Sequence, residues 1–259
     1  MTKPEIGAIY PALPAIFTVA ATLIIWKISI LFFDISPFIL PPPETVFERL
    51  WILLRERNFW SVHVVTTLWE ILAGFFLALV AGLTTGVLFG KLPWLERALK
   101  PALLTLQVVP KITLLPILII WTGFGMTSKI IFAAILSFFP IMLNVLLGLK
   151  SVSPGHQEVM RAFHAGRWSM FRFVELYSVL PYLIAGMEVG IVFAVIGAIV
   201  GEYLSGSEGL GYLAVIALGS LDMPRLFAVL IVLTLLSYAL AMLVHCVKQV
   251  LIPWHDSMR

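Results

Sequence analysis

The sequence predicts an all-α membrane protein with about six transmembrane helices, and three observations carry that expectation. First, 61% of the 259 residues are hydrophobic and 12% are charged, against about 25% charged in a soluble domain. Mean hydropathy is +1.04, and a water-facing fold of this size has too little interior for so much apolar surface. Second, the apolar residues gather into runs near the roughly 20 residues that a membrane-crossing helix needs. Third, the charges fall mainly between those runs. The +3 net charge forms no basic stripe, so a nucleic-acid partner is excluded.

The first run, residues 13–33, follows a head bearing Lys3 and Glu5. It is long for the apolar part of a signal peptide, and FFDISPFILPPP after it offers no small-residue cleavage pattern. It is read as a retained anchor. Pro37 and Pro41-Pro42-Pro43 make a stiff connector. Residues 44–57 then read as an amphipathic helix lying in the interface, with Val46, Leu50, Leu53 and Leu54 on one side and Glu48, Arg49, Arg55, Glu56 and Arg57 on the others. Trp51 and Trp60 suit the interfacial belt. Residues 1–57 are therefore set apart from a core over 58–259.

The second run spans about 62–89. Gly82, Gly86 and Gly90 recur every fourth residue there and put small side chains on one face, where another helix can approach closely. Further runs cover about 99–121, 129–149, 180–203 and 226–252. Six crossings place both termini and the segment 150–175 on one side. That side carries Lys3, Lys91, Arg97, Lys100, Lys150, Arg161, Arg167, Arg172, Lys248 and Arg259, ten of the 17 basic residues. The other side carries five (Arg49, Arg55, Arg57, Lys129 and Arg225), and Lys27 and Lys111 fall inside runs. The excess marks the first side as cytoplasmic.

Motifs for chemistry are absent from the sequence. There is no G-x-x-x-x-G-K-[ST] phosphate loop, no G-x-S-x-G and no H-E-x-x-H. The single cysteine, Cys246, excludes an internal disulfide, and no two of the five histidines lie three or four apart, which argues against a helix-borne metal site. No catalytic residue and no metal ligand are assigned. If transport is active, its energy comes from another subunit.

The most informative stretch is GHQEVMRAFHAGRWSMFRFVELYSVLP, residues 155–181. Apolar residues return at three- and four-residue steps between Glu158, Arg161, Arg167, Arg172 and Glu175, which is helical spacing. The pattern breaks near His164-Ala165-Gly166, so two short helices joined by a bend are expected outside the bilayer. This segment resembles the cytoplasmic coupling loop, or EAA loop, of bacterial ABC importer permeases. Glu158 takes the Glu position, Val159 and Met160 replace the two alanines, and Arg167-Trp168, Phe171-Arg172, Val174 and Leu180-Pro181 fall where the family has similar residues. His164 stands where the family has glycine, and Tyr177 where the first Leu-Pro proline would be. LLTLQVVPKITLLPILIIWTGFGMTSKIIFAAILSFFP (103–140) and AGMEVGIVFAVIGAIVGEYLSGSEGLGYL (185–213) resemble the same family. The likeness is to its nitrate, sulfonate, taurine and bicarbonate group, with thiamine-precursor, riboflavin and aromatic-acid relatives.

The resemblance implies the type I (MetI-like) permease fold and a non-catalytic subunit of an importer for a small anionic solute. The alternatives are the same class carrying a pyrimidine, riboflavin or an aromatic acid, or a self-sufficient ion-coupled carrier or channel. It implies a second copy of the permease, two cytoplasmic ABC ATPase subunits holding ATP and magnesium, an extracytoplasmic binding protein, and the bacterial inner membrane with the loop and both termini cytoplasmic. No cofactor is assigned to this chain. In the coupling loop, Val159, Ala162 and Phe163 would seat in an ATPase groove. Glu158, Arg161 and Arg167 would fix their orientation at the rim. Histidine only uncommonly adopts positive φ, so the bend is expected to shift from His164 to Gly166.

Ionisable residues inside spans are functional candidates by default. Lys111, between Pro110 and Pro116, either faces a cavity and attracts an anion or snorkels or pairs internally. Gln107, Thr113, Asn144, Glu188 and Glu202 are weaker candidates for the path, with Asn144 read as an interhelix hydrogen bond. Glu70 and Glu202 lie near span ends and are expected at a rim or as caps. Trp121 and Phe124 are expected in the belt. The glycine-rich 205–225 is read as a short re-entrant or interfacial helix on the outer side, with Ser205, Gly206, Gly209 and Gly211 meeting the binding protein or forming the outer gate.

Overall fold

A computed structural model describes residues 12–252 of the chain, which are helical and contain no strand among the described residues. The evenly apolar first run forms α1, Ala12–Phe33. Helix α2, Pro43–Arg55, starts on a proline at its first turn, with Glu44 there and Arg55 in the last turn complementing the helix dipole. It buries Val46 and Leu53, two of the four residues assigned to its apolar side.

Among the described residues, four helical stretches are long and apolar enough to cross a membrane: Phe59–Lys91, Met126–Lys150, Arg167–Ser205 and Met223–Leu251. The first contains a π-helical turn, Phe59–Val64, continued by α3, Val65–Lys91. The second is α6, Met126–Lys150. The run expected over 99–121 is not one helix. It is divided into α4, Pro93–Val108, a 3₁₀ turn over Lys111–Thr113, and α5, Leu114–Thr122. Pro110 supplies no N–H and forces the preceding residue out of the helical region; Val109 accordingly takes ψ 129°.

Beyond α6 the chain forms α7, Pro154–Ala162, then α8, Arg167–Met170, a π-helical turn over Phe171–Glu175, and α9, Leu176–Ser205. Helix α8 thus runs on without interruption into α9. A short α10, Leu210–Gly219, lies where the re-entrant helix was expected, followed by α11, Met223–Leu251.

The described chain divides into two compact units. One comprises the residues up to Trp60 together with Leu213–Val232. It is tied by Arg49–Asp222 at 2.5 Å and Arg225–Glu56 at 3.5 Å, and by Trp26 packed 5.6 Å from Phe227.

The other unit, Ser61–Tyr212 with the chain from Leu233 on, is organised around α6. Small residues of α3 pack along one side of it, with a constant offset: Gly74 meets Ala133, Gly82 meets Ile141, Gly86 meets Val145 and Gly90 meets Leu149. A constant offset means that α3 and α6 run parallel. Against the other side, Gly201, Gly197, Gly190 and Gly186 of α9 meet Lys129, Ala133, Ile141 and Asn144 in that order, so α9 runs antiparallel. A Cβ on Gly197 would stand 2.6 Å from the Ala133 Cα, closer than packed atoms approach. The face predicted from Gly82, Gly86 and Gly90 therefore exists, and it is filled by α6. Ser137 adds an α6–α9 tie by donating to the Gly190 carbonyl at 2.8 Å.

Candidate functional site

Three places hold the predicted residues. At the Lys150 end of the core, α7 begins with Pro154 at its first turn and stops at Ala162. Its end is a Schellman motif: the His164 N–H donates to the Arg161 carbonyl at 2.9 Å and the Ala165 N–H to the Met160 carbonyl at 2.9 Å. The motif needs a left-handed residue between them, and His164 supplies it with φ 54°. The bend has therefore not moved to Gly166, whose φ is −67°. Histidine takes the glycine conformation, which the two helix-ending hydrogen bonds hold in place.

Along α7 and the turn after it, Val159 is 53% and Phe163 80% exposed. Glu158, Arg161, Ala162, His164, Gly166 and Arg167 are exposed as well, so all eight residues assigned to coupling lie on one accessible element. Nearby, Lys91 at the end of α3 pairs with Glu175, and Lys150 at the end of α6 pairs with Glu96. The first pair ties the π-helical turn that ends this element to α3, and the second ties α4 to α6.

The second place is the broken helix. Lys111 lines a cavity of about 580 Å³ with Leu77, Ala81, Val109, Phe138 and Phe139. Its ammonium sits 5.4 Å from the centre of the Phe139 ring, a cation–π distance. Thr113 turns back instead, its hydroxyl donating to the Pro110 carbonyl at 2.6 Å. The Gln107 side chain lies outside the described part of the structure. Asn144 does not reach across helices as expected. Its amide donates to the Pro140 carbonyl of its own helix at 2.8 Å, with Gly186 packed against its Cβ. Glu188 faces α11, 3.5 Å from Lys248 and 3.7 Å from His245.

The third place lies at the opposite end of the core and was not foreseen as a unit. Glu70, Lys129 and Glu202, from α3, α6 and α9, are 0%, 4% and 1% exposed. The rim or capping position expected for both glutamates is thus replaced by full burial. Lys129 pairs with Glu70 at 2.5 Å. The adjoining Glu202 carboxylate accepts from the Thr67 hydroxyl at 2.6 Å and from the Gly211 N–H at 2.5 Å. Thr67 in turn accepts the Leu210 N–H at 2.8 Å, and His63 Nδ1 accepts the Gly209 N–H at 3.2 Å.

The loop after α9 is laid over Glu202 by its glycines. Gly209 has φ 110°, and a Cβ on it would fall 2.1 Å from the Glu202 carboxylate oxygen. Gly206 and Gly211 are also too close to Glu202 for a side chain, and Ser205 donates to the Gly201 carbonyl. These four residues close over a buried polar cluster. One signal for that cluster is readable in retrospect. The same 21 residues separate Glu70 from Lys91 and Lys129 from Lys150, which puts Glu70 and Lys129 at one depth on parallel helices.

Parallel and antiparallel spans welded by glycine, an exposed charged element at one end and a cation-bearing cavity in a broken helix define an integral membrane transport component. Residues 71–255 match the family of the binding-protein-dependent transport system inner membrane component, and the chain belongs to that family. It is 36% identical over 248 residues to the riboflavin transport system permease protein RibX of Chloroflexus aurantiacus, covering 96% of this chain and 92% of the relative. It is 33% identical to the formylaminopyrimidine transport permease protein ThiX of Halalkalibacterium halodurans, covering 95% and 97%. It is 27% identical to the taurine transport system permease protein TauC of Escherichia coli, covering 95% and 90%. The fold matches that of the MetNI methionine ABC transporter in an inward-facing conformation, with a TM-score of 0.63 at 24% identity over 77% of this chain and 96% of that one. The chain is a permease of the ABC importer class with the MetI-like fold, the membrane component of such a system.

Proposed function

We propose that this permease moves a small solute carrying negative charge by alternating access, driven through α7 by ATPase subunits that bind ATP and magnesium. The observation that supports it most is the exposed apolar pair, Val159 and Phe163, on a short helix rimmed by Glu158, Arg161 and Arg167. An apolar knob with a charged rim is the anatomy of a surface that docks into a groove. The functional unit is a pair of such chains with two ATPases on the cytoplasmic side and an extracytoplasmic binding protein. The 155–175 element and both termini then lie in the cytoplasm of a bacterial inner membrane. ATP hydrolysis belongs to the partner, and the solute is delivered by the binding protein.

Lys111 gives the solute its charge preference. It is the lysine that lines the apolar cavity of the broken helix, where a cation attracts an anion more strongly than in water. A second reading, a planar aromatic solute with an acidic group, is supported by Phe138 and Phe139 in the same wall and by the riboflavin and formylaminopyrimidine permeases among the relatives.

In proteoliposomes holding the permease with its co-expressed ATPase and binding protein, Glu158→Lys with Phe163→Asp should leave hydrolysis running while uptake falls to background. Uptake equal to wild type would remove α7 from the coupling role. Uptake by the permease alone, without ATP, would favour a self-sufficient carrier. Lys111→Met should raise the solute concentration for half-maximal uptake by roughly tenfold, about 1.4 kcal/mol of lost attraction. An unchanged half-saturation would return Lys111 to a packing role.

A further inference from the structure

At the Lys91 end of the core a basic hollow and an apolar groove meet at one residue. The hollow, about 1020 Å³, is lined by Lys91, Arg161, Arg167 and Glu175, with Trp168 and Phe171 among its apolar walls. Lys91 is engaged by Glu175. Arg161 and Arg167 form no ion pair among the described residues. One carboxylate against three cations leaves an excess of two positive charges in the hollow. The groove, about 490 Å³, runs between α3 and the start of α9, from Leu83 and Val87 on one side to Leu176 and Leu180 on the other. Thr84 also lines it, but the Thr84 hydroxyl is spent on the Val80 and Ala81 carbonyls of its own helix. Phe171 belongs to both walls. From Lys91 the groove follows α3 to Leu83, roughly 12 Å at 1.5 Å per residue.

We propose that the joined hollow and groove bind one anionic phospholipid, with its phosphate between Arg161 and Arg167 and an acyl chain along α3 and α9 past Phe171. Three features select this occupant. The groove offers no polar side chain to a partner helix beyond the self-satisfied Thr84. The hollow's charge complements a phosphodiester with a further negative or neutral headgroup, and guanidinium groups match phosphate oxygens in geometry. Lastly, the Trp168 ring lies 5.8 Å from that of Phe171, beside the junction of hollow and groove, and indole favours the level where headgroup and hydrocarbon meet. The lipid would fill the Arg161–Arg167 side of the α7–α8 corner; Val159 and Phe163 line neither the hollow nor the groove. The site depends on the chain spanning a membrane, and not on α7 docking to an ATPase.

The test is native mass spectrometry of the full chain purified in detergent, titrated with dioleoylphosphatidylglycerol, dioleoylphosphatidylcholine or glycerol 3-phosphate. One phosphatidylglycerol per chain should be retained at a concentration at least roughly tenfold below that needed for phosphatidylcholine, as two cations near an anionic headgroup predict. Arg161→Gln with Arg167→Gln should bring the two lipids level, and Arg161→Lys with Arg167→Lys should keep most of the preference. Thr84→Trp, which fills the groove, should weaken retention of both lipids. Melting in the same detergent confirms that each variant is folded. Equal retention of the two lipids by the unaltered chain would overturn the proposal, as would a preference that survives the glutamine pair. Binding of glycerol 3-phosphate as tightly as the lipid would make this a free-phosphate site instead. Exclusion of both lipids by a second copy of the chain would give the groove to a protein contact.

Discussion

The α3–α6–α9 core and the α7–α8 corner are adjacent in the chain and opposite in construction. In the core, glycines let helix backbones touch, and the far end is fastened by a buried ion pair and a carboxylate that accepts the Thr67 hydroxyl and the Gly211 N–H. In the corner, large apolar side chains stand in solvent, helices are nine and four residues long, and Arg161 and Arg167 have no acidic partner among the described residues. The core has almost no room to rearrange, because packed interiors shift between discrete arrangements and do not deform continuously. The corner is ready to be gripped. The two regions differ in stiffness and are tied where Lys91 at the end of α3 pairs with Glu175.

Substitutions sharpen or break this contrast. The largest effect is expected for Lys129→Met, which leaves Glu70 and Glu202 buried together without their ammonium, at a cost of about 3–5 kcal/mol. Thermal unfolding in detergent would show a greatly lowered midpoint. A midpoint within a degree or two of wild type would mean that the cluster is not what fastens that end. Gly197→Leu comes next, since its side chain would enter the Ala133 backbone. Overpacking of this kind costs about 1–3 kcal/mol, and the drop should be visible in the same unfolding curve. An unaltered curve would show a seam looser than the distances state. Smallest is His164→Gly, which relieves a left-handed non-glycine residue worth about 1 kcal/mol. Hydrogen exchange at the end of α7 should slow while the core amides stay unchanged; faster exchange would mean that the imidazole itself supports the bend.

Much of this architecture was legible from the residues. The long spans follow from apolar length, α2 from its two-sided pattern, and the α3 seam from glycine at every fourth position. The bend in the charged segment was legible too, although not which residue makes it. Expectation placed it at Gly166 on intrinsic preference, whereas the two hydrogen bonds that end α7 decide in favour of His164. Asn144 misled for a related reason: a carbonyl of its own helix is always within reach of an amide four residues on, while a partner helix is only sometimes so. The polar cluster was hidden because each member, taken singly, sits near a helix end where charge reaches water easily. Burial emerges only when three ends and a glycine loop meet. The division of the third span at Val109–Pro110 was present in the sequence as Pro110 and Pro116, and was masked by a surrounding run that is apolar almost throughout.

The interruption between α4 and α5 has an electrical side. Backbone that leaves the helix at membrane depth persists only where protein or water satisfies it, and here a hollow bearing a lysine lies directly alongside. A positive charge stationed beside that break repels protons and metal cations, so Lys111 opposes ion leak through the interrupted span whatever solute the permease carries.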